Sequence, residues 1–133
     1  MRTPEEKLNI EKAIRNDRLV DITTTGRKSG NQYRKEVRLR QIDGQVYLTN
    51  NPGTRDWAAN LYAIPQFQYH FKESAEIDAI AVAKPVREES EKRQILYALL
   101  EKEGALDQLE ARVAGSNLFK IDFPEENDLE EIQ

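Results

Sequence analysis

Tyr33-Arg-Lys-Glu-Val-Arg-Leu-Arg-Gln-Ile42, Asp43-Gly44, Gln45-Val-Tyr-Leu-Thr49 reads as strand, two-residue turn, strand. Val37 and Leu39 alternate with Glu36, Arg38 and Arg40. Val46 and Leu48 fall on one face of the return strand and Tyr47 on the other. Asp-Gly is a strong signal for a tight hairpin turn, because both central positions of such a turn take positive φ. The pair therefore predicts an antiparallel hairpin over 33–49.

Upstream, residues 18–25 form a β-branched run that predicts another strand. It closes in Thr23-Thr-Thr-Gly-Arg-Lys-Ser-Gly30. Gly26 and Gly30 are free to take φ > 0 and to let backbone N–H groups approach an anion. Arg27 offers a planar fork of donors and Lys28 a compact charge. The loop suits a phosphate or carboxylate, though it is neither a Walker loop nor a dinucleotide fingerprint. The alternative is a solvated hairpin turn. Residues 27–40 hold Arg27, Lys28, Arg34, Lys35, Arg38 and Arg40 against Glu36, a pattern that attracts anions. A solvated strand face is the plainer account of Arg38 and Arg40.

Further out, Pro4 to Asn16 predicts a surface helix with Thr3 as N-cap and Leu8, Ala13 and Ile14 as a thin apolar stripe. Thr54 is expected to cap a short helix to Ala63 that aligns Trp57 with Leu61. Phe67, Tyr69 and Phe71 predict a strand with His70 on its opposite face. Residues 76–86 predict a strand buried on both sides. Residues 88–103 predict a helix with a stripe of Ile95, Leu96, Leu99 and Leu100, closed by Gly104. A short helix over 107–114 and a strand over 117–123 complete the pattern. Five or six mostly antiparallel strands with flanking helices define a mainly β, α+β domain over 1–123, a small closed or half-closed barrel. Residues 124–133 form an acidic tail. A barrel this small is filled by its own side chains, so a ligand is expected in an outer groove or at a dimer interface.

The 133 residues include no cysteine and one histidine. Disulfides and thiolate metal sites are excluded, and a reducing cytoplasm fits. His70 alone does not make a metal site or a hydrolytic triad, and a structural role is expected for it. No apolar run approaches a membrane span. The net charge is −4, but residues 122–133 hold six acids and no base, so the rest of the chain carries +2. No serine sits in a nucleophile elbow. If the protein is an enzyme, a bound cofactor carries the chemistry.

In this order the motifs Thr-Thr-Thr-Gly-Arg-Lys-Ser-Gly, Asn31-Gln-Tyr-Arg-Lys-Glu-Val37, Asp43-Gly-Gln-Val-Tyr-Leu48, Arg55-Asp-Trp-Ala-Ala-Asn-Leu61 and Pro65 resemble the deazaflavin-dependent nitroreductase family. That family is a branch of the flavin/deazaflavin oxidoreductases. The resemblance covers about residues 18–100, and it implies a split β-barrel of the FMN-binding type that uses coenzyme F-420 or, in some relatives, FMN. It implies that Arg27, Lys28 and Arg34 meet the phosphate or tail of the cofactor. Thr25, Gly26, Ser29 and Gly30 would add loop hydrogen bonds. Thr49, Asn50 and Asn51 would border the ring, and Asp56, Trp57 and Asn60 would sit on the following helix; core packing is the competing account of Trp57. Departures fall at Arg38-Leu39, Asn50 to Gly53 and Ala63-Ile64-Pro65, around the ring groove.

The resulting expectation is hydride transfer to an enone, quinone or nitro compound, with Tyr33, Tyr47, Tyr62 and Tyr69 as candidate proton donors. The partners implied are a small-molecule cofactor and substrate and, from the resemblance, a second copy of the chain. Two other readings stand beside it. One is a non-catalytic flavin or deazaflavin carrier or sensor. The other is a nucleic-acid-binding barrel using residues 27–40, against which the small charge of the body speaks.

Overall fold

The computed structural model describes residues 2–124; of the acidic tail, residues 125–133 lie outside them. The order is α1 (Pro4–Asn16), β1 (Leu19–Thr25), β2 (Gln32–Arg38), β3 (Arg40–Ile42), β4 (Gln45–Thr49), α2 (Asp56–Ala63), β5 (Gln66–Phe71), β6 (Ile77–Pro85), α3 (Glu89–Glu103), a three-residue 3-10 turn (Leu106–Gln108), α4 (Leu109–Gly115) and β7 (Leu118–Asp122). The strands form one antiparallel sheet, in the order β2-β1-β5-β6-β7-β4-β3. This is a split β-barrel with flanking helices. It has seven strands rather than the expected five or six, because the run 33–42 is two strands. β2 pairs with β1, while β3 pairs with β4.

Leu39 is the break between them. Its amide donates to the Arg18 carbonyl at 2.8 Å and its side chain is buried. The two edge strands of the sheet are thus consecutive in the chain, and the sheet rolls until its edges meet at this corner. Glu103 fastens the corner from α3, accepting from Arg40 Nε at 2.9 Å and lying 3.7 Å from Arg38. Arg38 and Arg40 are therefore paired rather than simply solvated, and Arg40 is largely buried. The predicted turn forms as read: Asp43 and Gly44 have φ of 51° and 87°.

The interior is apolar. Val20 and Ile22 of β1, Phe67, Tyr69 and Phe71 of β5, and Ala79, Ala81 and Ala83 of β6 face it, with Val46, Leu48, Phe119 and Ile121. The small alanine side chains lie opposite large aromatic ones, as at Phe67↔Ala81 and Tyr69↔Ala79. β6 is buried on one side only, since Asp78 and Ile80 are exposed. α1 carries the expected N-cap at Thr3, which Glu6 completes as a capping box. It inserts Ile10, Ala13 and Ile14 and leaves Leu8 exposed, so its stripe is shifted from the expected one. α2 inserts Trp57, Ala58 and Leu61. Its N-cap is Arg55 without a side-chain cap bond, not Thr54. α3 and α4 cover the outer face of β4 and β7 through Tyr47, Leu118, Leu96, Leu99 and Val113. Among the described residues no helix is long and apolar enough to cross a membrane.

Glu103→Ala should leave Arg40 in a half-buried site without its carboxylate, beside the buried Arg112. A loss of about 1–3 kcal/mol in urea unfolding is expected. Unchanged stability would show that the corner holds by Leu39 alone.

Candidate functional site: a groove between the glycine loop and the second helix

Alternation along β1 and β2 places the groove. Thr24 is opposite Tyr33, Ile22 opposite Lys35 and Val20 opposite Val37. Opposite pairs share a face, so Tyr33 and Lys35 stand on the inner face with Ile22 and Thr24, where the barrel opens toward α2. The groove has a volume of about 770 Å³. Its lining includes Gly26, Arg27, Lys28 and Ser29 from the loop, Lys35 from β2, and Arg55, Asp56, Trp57 and Asn60 from α2 and its entry. Two stretches thirty residues apart in sequence are thus joined at one site.

Asn60 makes the joint. Its Oδ1 accepts from the Arg27 amide at 3.1 Å and from Arg27 Nη1 at 2.8 Å. Its Nδ2 donates to Thr24 Oγ1 at 3.3 Å, and the residue is 4% exposed. Asp56 adds a looser ion pair to Arg27 at 3.9 Å. Asn60 is therefore a loop holder more than a surface for a ligand.

The loop is folded on itself. The Gly26 amide donates to the Asn31 carbonyl at 2.7 Å and the Gly30 amide to the Gly26 carbonyl at 2.9 Å, so neither is free for an anion. Gly30 has positive φ, as expected, but Gly26 does not. Gly26 is crowded instead: a Cβ there would lie 2.6 Å from Ser29 Oγ and 2.7 Å from Tyr33 Cε2, so those two side chains would have to shift. Ser29 Oγ accepts from the Asn31 amide at 3.1 Å and meets Tyr33 Oη at 3.0 Å. The amides of Lys28 and Ser29 have no partner among the described residues, and both residues line the groove beside Arg27. That is a donor set for an anion.

The other expected residues lie elsewhere. Thr25 Oγ1 accepts from Gln32 at 3.0 Å on the outer face. Arg34 borders the groove, but its guanidinium turns outward to Asp21, with Nε donating at 2.9 Å. Asp21 also accepts from Lys72 at 2.7 Å; Lys72 first and Arg34 second hold its carboxyl below the ordinary range. Thr49 donates to the Asn117 carbonyl at 2.6 Å, and Asn50 accepts from the Asn117 amide at 3.0 Å. Asn51 offers its carbonyl to Asn50 Nδ2 at 2.6 Å. This clamp ties the loop before α2 to the start of β7 and does not line the groove. Lys35 and Arg55 are the additions; inner-face alternation with Tyr33 and Val37 was the available signal for Lys35.

Of the candidate tyrosines only Tyr33 reaches the groove, and it is half exposed. Tyr47 and Tyr69 are buried, and Tyr62 donates to Asn117 Oδ1 at 2.9 Å. His70 lies on the opposite face of the sheet between Asp78 Oδ1 at 2.6 Å and Thr23 Oγ1 at 2.7 Å. Among the described residues no cluster of three metal-ligating side chains occurs.

No protein-family model matches the sequence, and no curated protein matches it. Solved structures share the fold. A protein of unknown function from Agrobacterium tumefaciens is 13% identical with a TM-score of 0.69, the match covering 92% of this chain and 56% of that one. An F-420-H2 dependent reductase is 18% identical with a TM-score of 0.57, over 80% of this chain and 95% of that one. A heme binding protein from Mycobacterium smegmatis is 15% identical with a TM-score of 0.65, over 92% of this chain and 53% of that one. The chain thus spans about half the length of the Agrobacterium and Mycobacterium proteins. At these identities the likeness is one of fold.

Asn60→Ala should leave the Thr24 hydroxyl and the Arg27 amide without their partner. A loss of about 1–3 kcal/mol is expected, together with faster tryptic cleavage after Arg27 and Lys28. A loop as protease-resistant as in the parent protein would show that Asn60 does not hold it.

Proposed function

We propose that the chain is a deazaflavin-dependent oxidoreductase whose groove takes coenzyme F-420 and reduces an electron-poor acceptor such as an enone, quinone or nitro compound. The observation that carries the reading is the pair of unpartnered amides, Lys28 and Ser29, beside Arg27 and Lys28 at the mouth of a groove with an apolar and aromatic wall. A phosphate-bearing ring cofactor fits that donor set: the loop takes the anionic part, and the half-exposed Tyr33 offers surface to the ring, while Ile22 and Trp57 are core residues beneath the groove. When bound, the deazaflavin supplies a hydride. The chain's own residues bind and orient it. Lys35 and Arg55 hold further anionic groups, and the Tyr33 hydroxyl, tied to Ser29, is the phenol from which a proton is available.

The motif order of the sequence and the F-420-H2 dependent reductase among the structures of this fold support the deazaflavin over FMN. FMN, or storage of a flavin without turnover, is the alternative reading; a heme binding protein of the same fold shows that the barrel serves more than one class of ligand. The reading includes a homodimer working in the cytoplasm. The nucleic-acid reading is weakened by the pairing of Arg34, Arg38 and Arg40 with Asp21 and Glu103.

The test is a fluorescence titration of the protein with deazaflavin coenzyme and with FMN, beside Lys28→Ala. Micromolar or tighter deazaflavin binding is expected, weakened about tenfold or more in the variant by loss of a charged contact. Preference for FMN would keep the site and replace the cofactor. Binding of neither would overturn the proposal. Binding without turnover of a quinone or nitro acceptor would favour the carrier.

A further inference from the structure

The outer face of β6 reads Asp78, Ile80, Val82, Lys84: acid, apolar, apolar, base. Successive members are two residues apart and share one face of the sheet. Ile80 is 49% exposed. Asp78 meets His70 and Lys84 meets Asp122, each at 2.6 Å, yet the two side chains remain 73% and 64% exposed. On β5, Gln68 is opposite Ile80 and Gln66 opposite Val82; on β1, Thr23 is opposite Gln68. Thr25 lies two residues further along β1, on the same face. Ile80, Val82, Gln66, Gln68, Thr23 and Thr25 thus form a field without charge across three strands, in a chain in which 33% of residues are charged. Gln66, Gln68 and Ile80 are exposed, and Thr23, Thr25 and Val82 are half-buried. The helices α3 and α4 cover β4 and β7 instead. An uncharged centre open to water, with charge at its border, has the composition of an interface core more than of a solvated face.

We propose that this face docks a second copy of the chain, face to face about a two-fold axis. The proposal rests on the homodimer of the functional reading and gives it a contact surface. The order along β6 selects the occupant. An axis in the plane of the contact, perpendicular to β6 and midway between Ile80 and Val82, reverses the strand. Asp78 then meets the partner's Lys84, Lys84 meets the partner's Asp78, and Ile80 meets the partner's Val82. The face is complementary to itself, which an isologous contact requires. The two ion pairs stand about 20 Å apart, at opposite ends of the contact. They fix its register, and the uncharged field is its centre. None of these residues lines the groove, so the dimer and the cofactor stand or fall separately.

The experiment is sedimentation velocity on the full chain over a concentration series. The parent protein is expected to pass from monomer to dimer as its concentration rises. Asp78→Lys and Lys84→Asp each put like charges at both ends of the contact, and each should raise the dissociation constant about tenfold or more. An equal mixture of the two variants should associate as the parent does, because both unlike pairs return in the mixed dimer. A defect in the folding of either chain is not repaired by mixing. Ile80→Asp should disrupt the contact from its centre. A parent chain that stays monomeric throughout overturns the proposal. A dimer that all three substitutions leave intact also overturns it, as do two weakened charge variants that mixing does not rescue. Deazaflavin binding, titrated in the same variants, is expected to be unchanged, and failure of the parent chain to bind it leaves the sedimentation outcomes as they stand.

Discussion

The corner at Leu39 is the constraint on which the rest depends. A single strand from Tyr33 to Ile42 would give a flat hairpin partner for β1. Breaking it lets β2 stay with β1 while β3 goes to β4. One sheet then closes on itself, and its inner face becomes the core. The break costs ladder hydrogen bonds, offset by the Leu39 amide bond to Arg18 and by burial of the Leu39 side chain. It also brings Arg38 and Arg40 to the same carboxylate of α3. The outer helices and the barrel seam are thereby one mechanical unit.

Closure at that corner sets the groove at the other end of β2. The β1–β2 hairpin is covered by α2 only near Asn60, so the inner face at Tyr33 and Lys35 stays open. The buried Asn60 amide fixes both the backbone and the guanidinium of Arg27. Arg27 is held before any ligand arrives, while Lys28 stays exposed. A site with one fixed fork and one adaptable point charge loses less side-chain entropy on binding than one with two free chains.

Much of this was legible in the sequence, for identifiable reasons. A β-branched run placed β1, period-two alternation placed β4, β5 and β7, and Thr3, Gly44 and Gly104 punctuated their elements as read, because each of these signals is local. What escaped was decided by tertiary partners. Nothing in 33–42 says that Leu39 turns a corner, since the reason is its neighbours Arg18 and Glu103. The resemblance put Thr49 to Asn51 at a ring edge, whereas the distant Asn117 holds Thr49 and Asn50 in a clamp. Thr54 has the chemistry of an N-cap, yet α2 starts after Arg55. The loop glycines were identified as special, but Gly26 lacks positive φ and instead leaves room for the Ser29 and Tyr33 side chains packed against it.

The fate of the six cations in residues 27–40 shows how a chain of net charge −4 leaves unpaired positive charge at one groove. Arg34 belongs to Asp21, Arg38 and Arg40 belong to Glu103, and Arg27 is bridged to Asn60. Each arginine has a planar fork that a fixed partner can satisfy. The two lysines, Lys28 and Lys35, have no such partner among the described residues, and both line the groove. Structural pairing thus takes the arginines out of the basic run and leaves two point charges converging on one cavity. A long polyanion needs a row of free cations, and pairing of Arg34, Arg38 and Arg40 removes that row here.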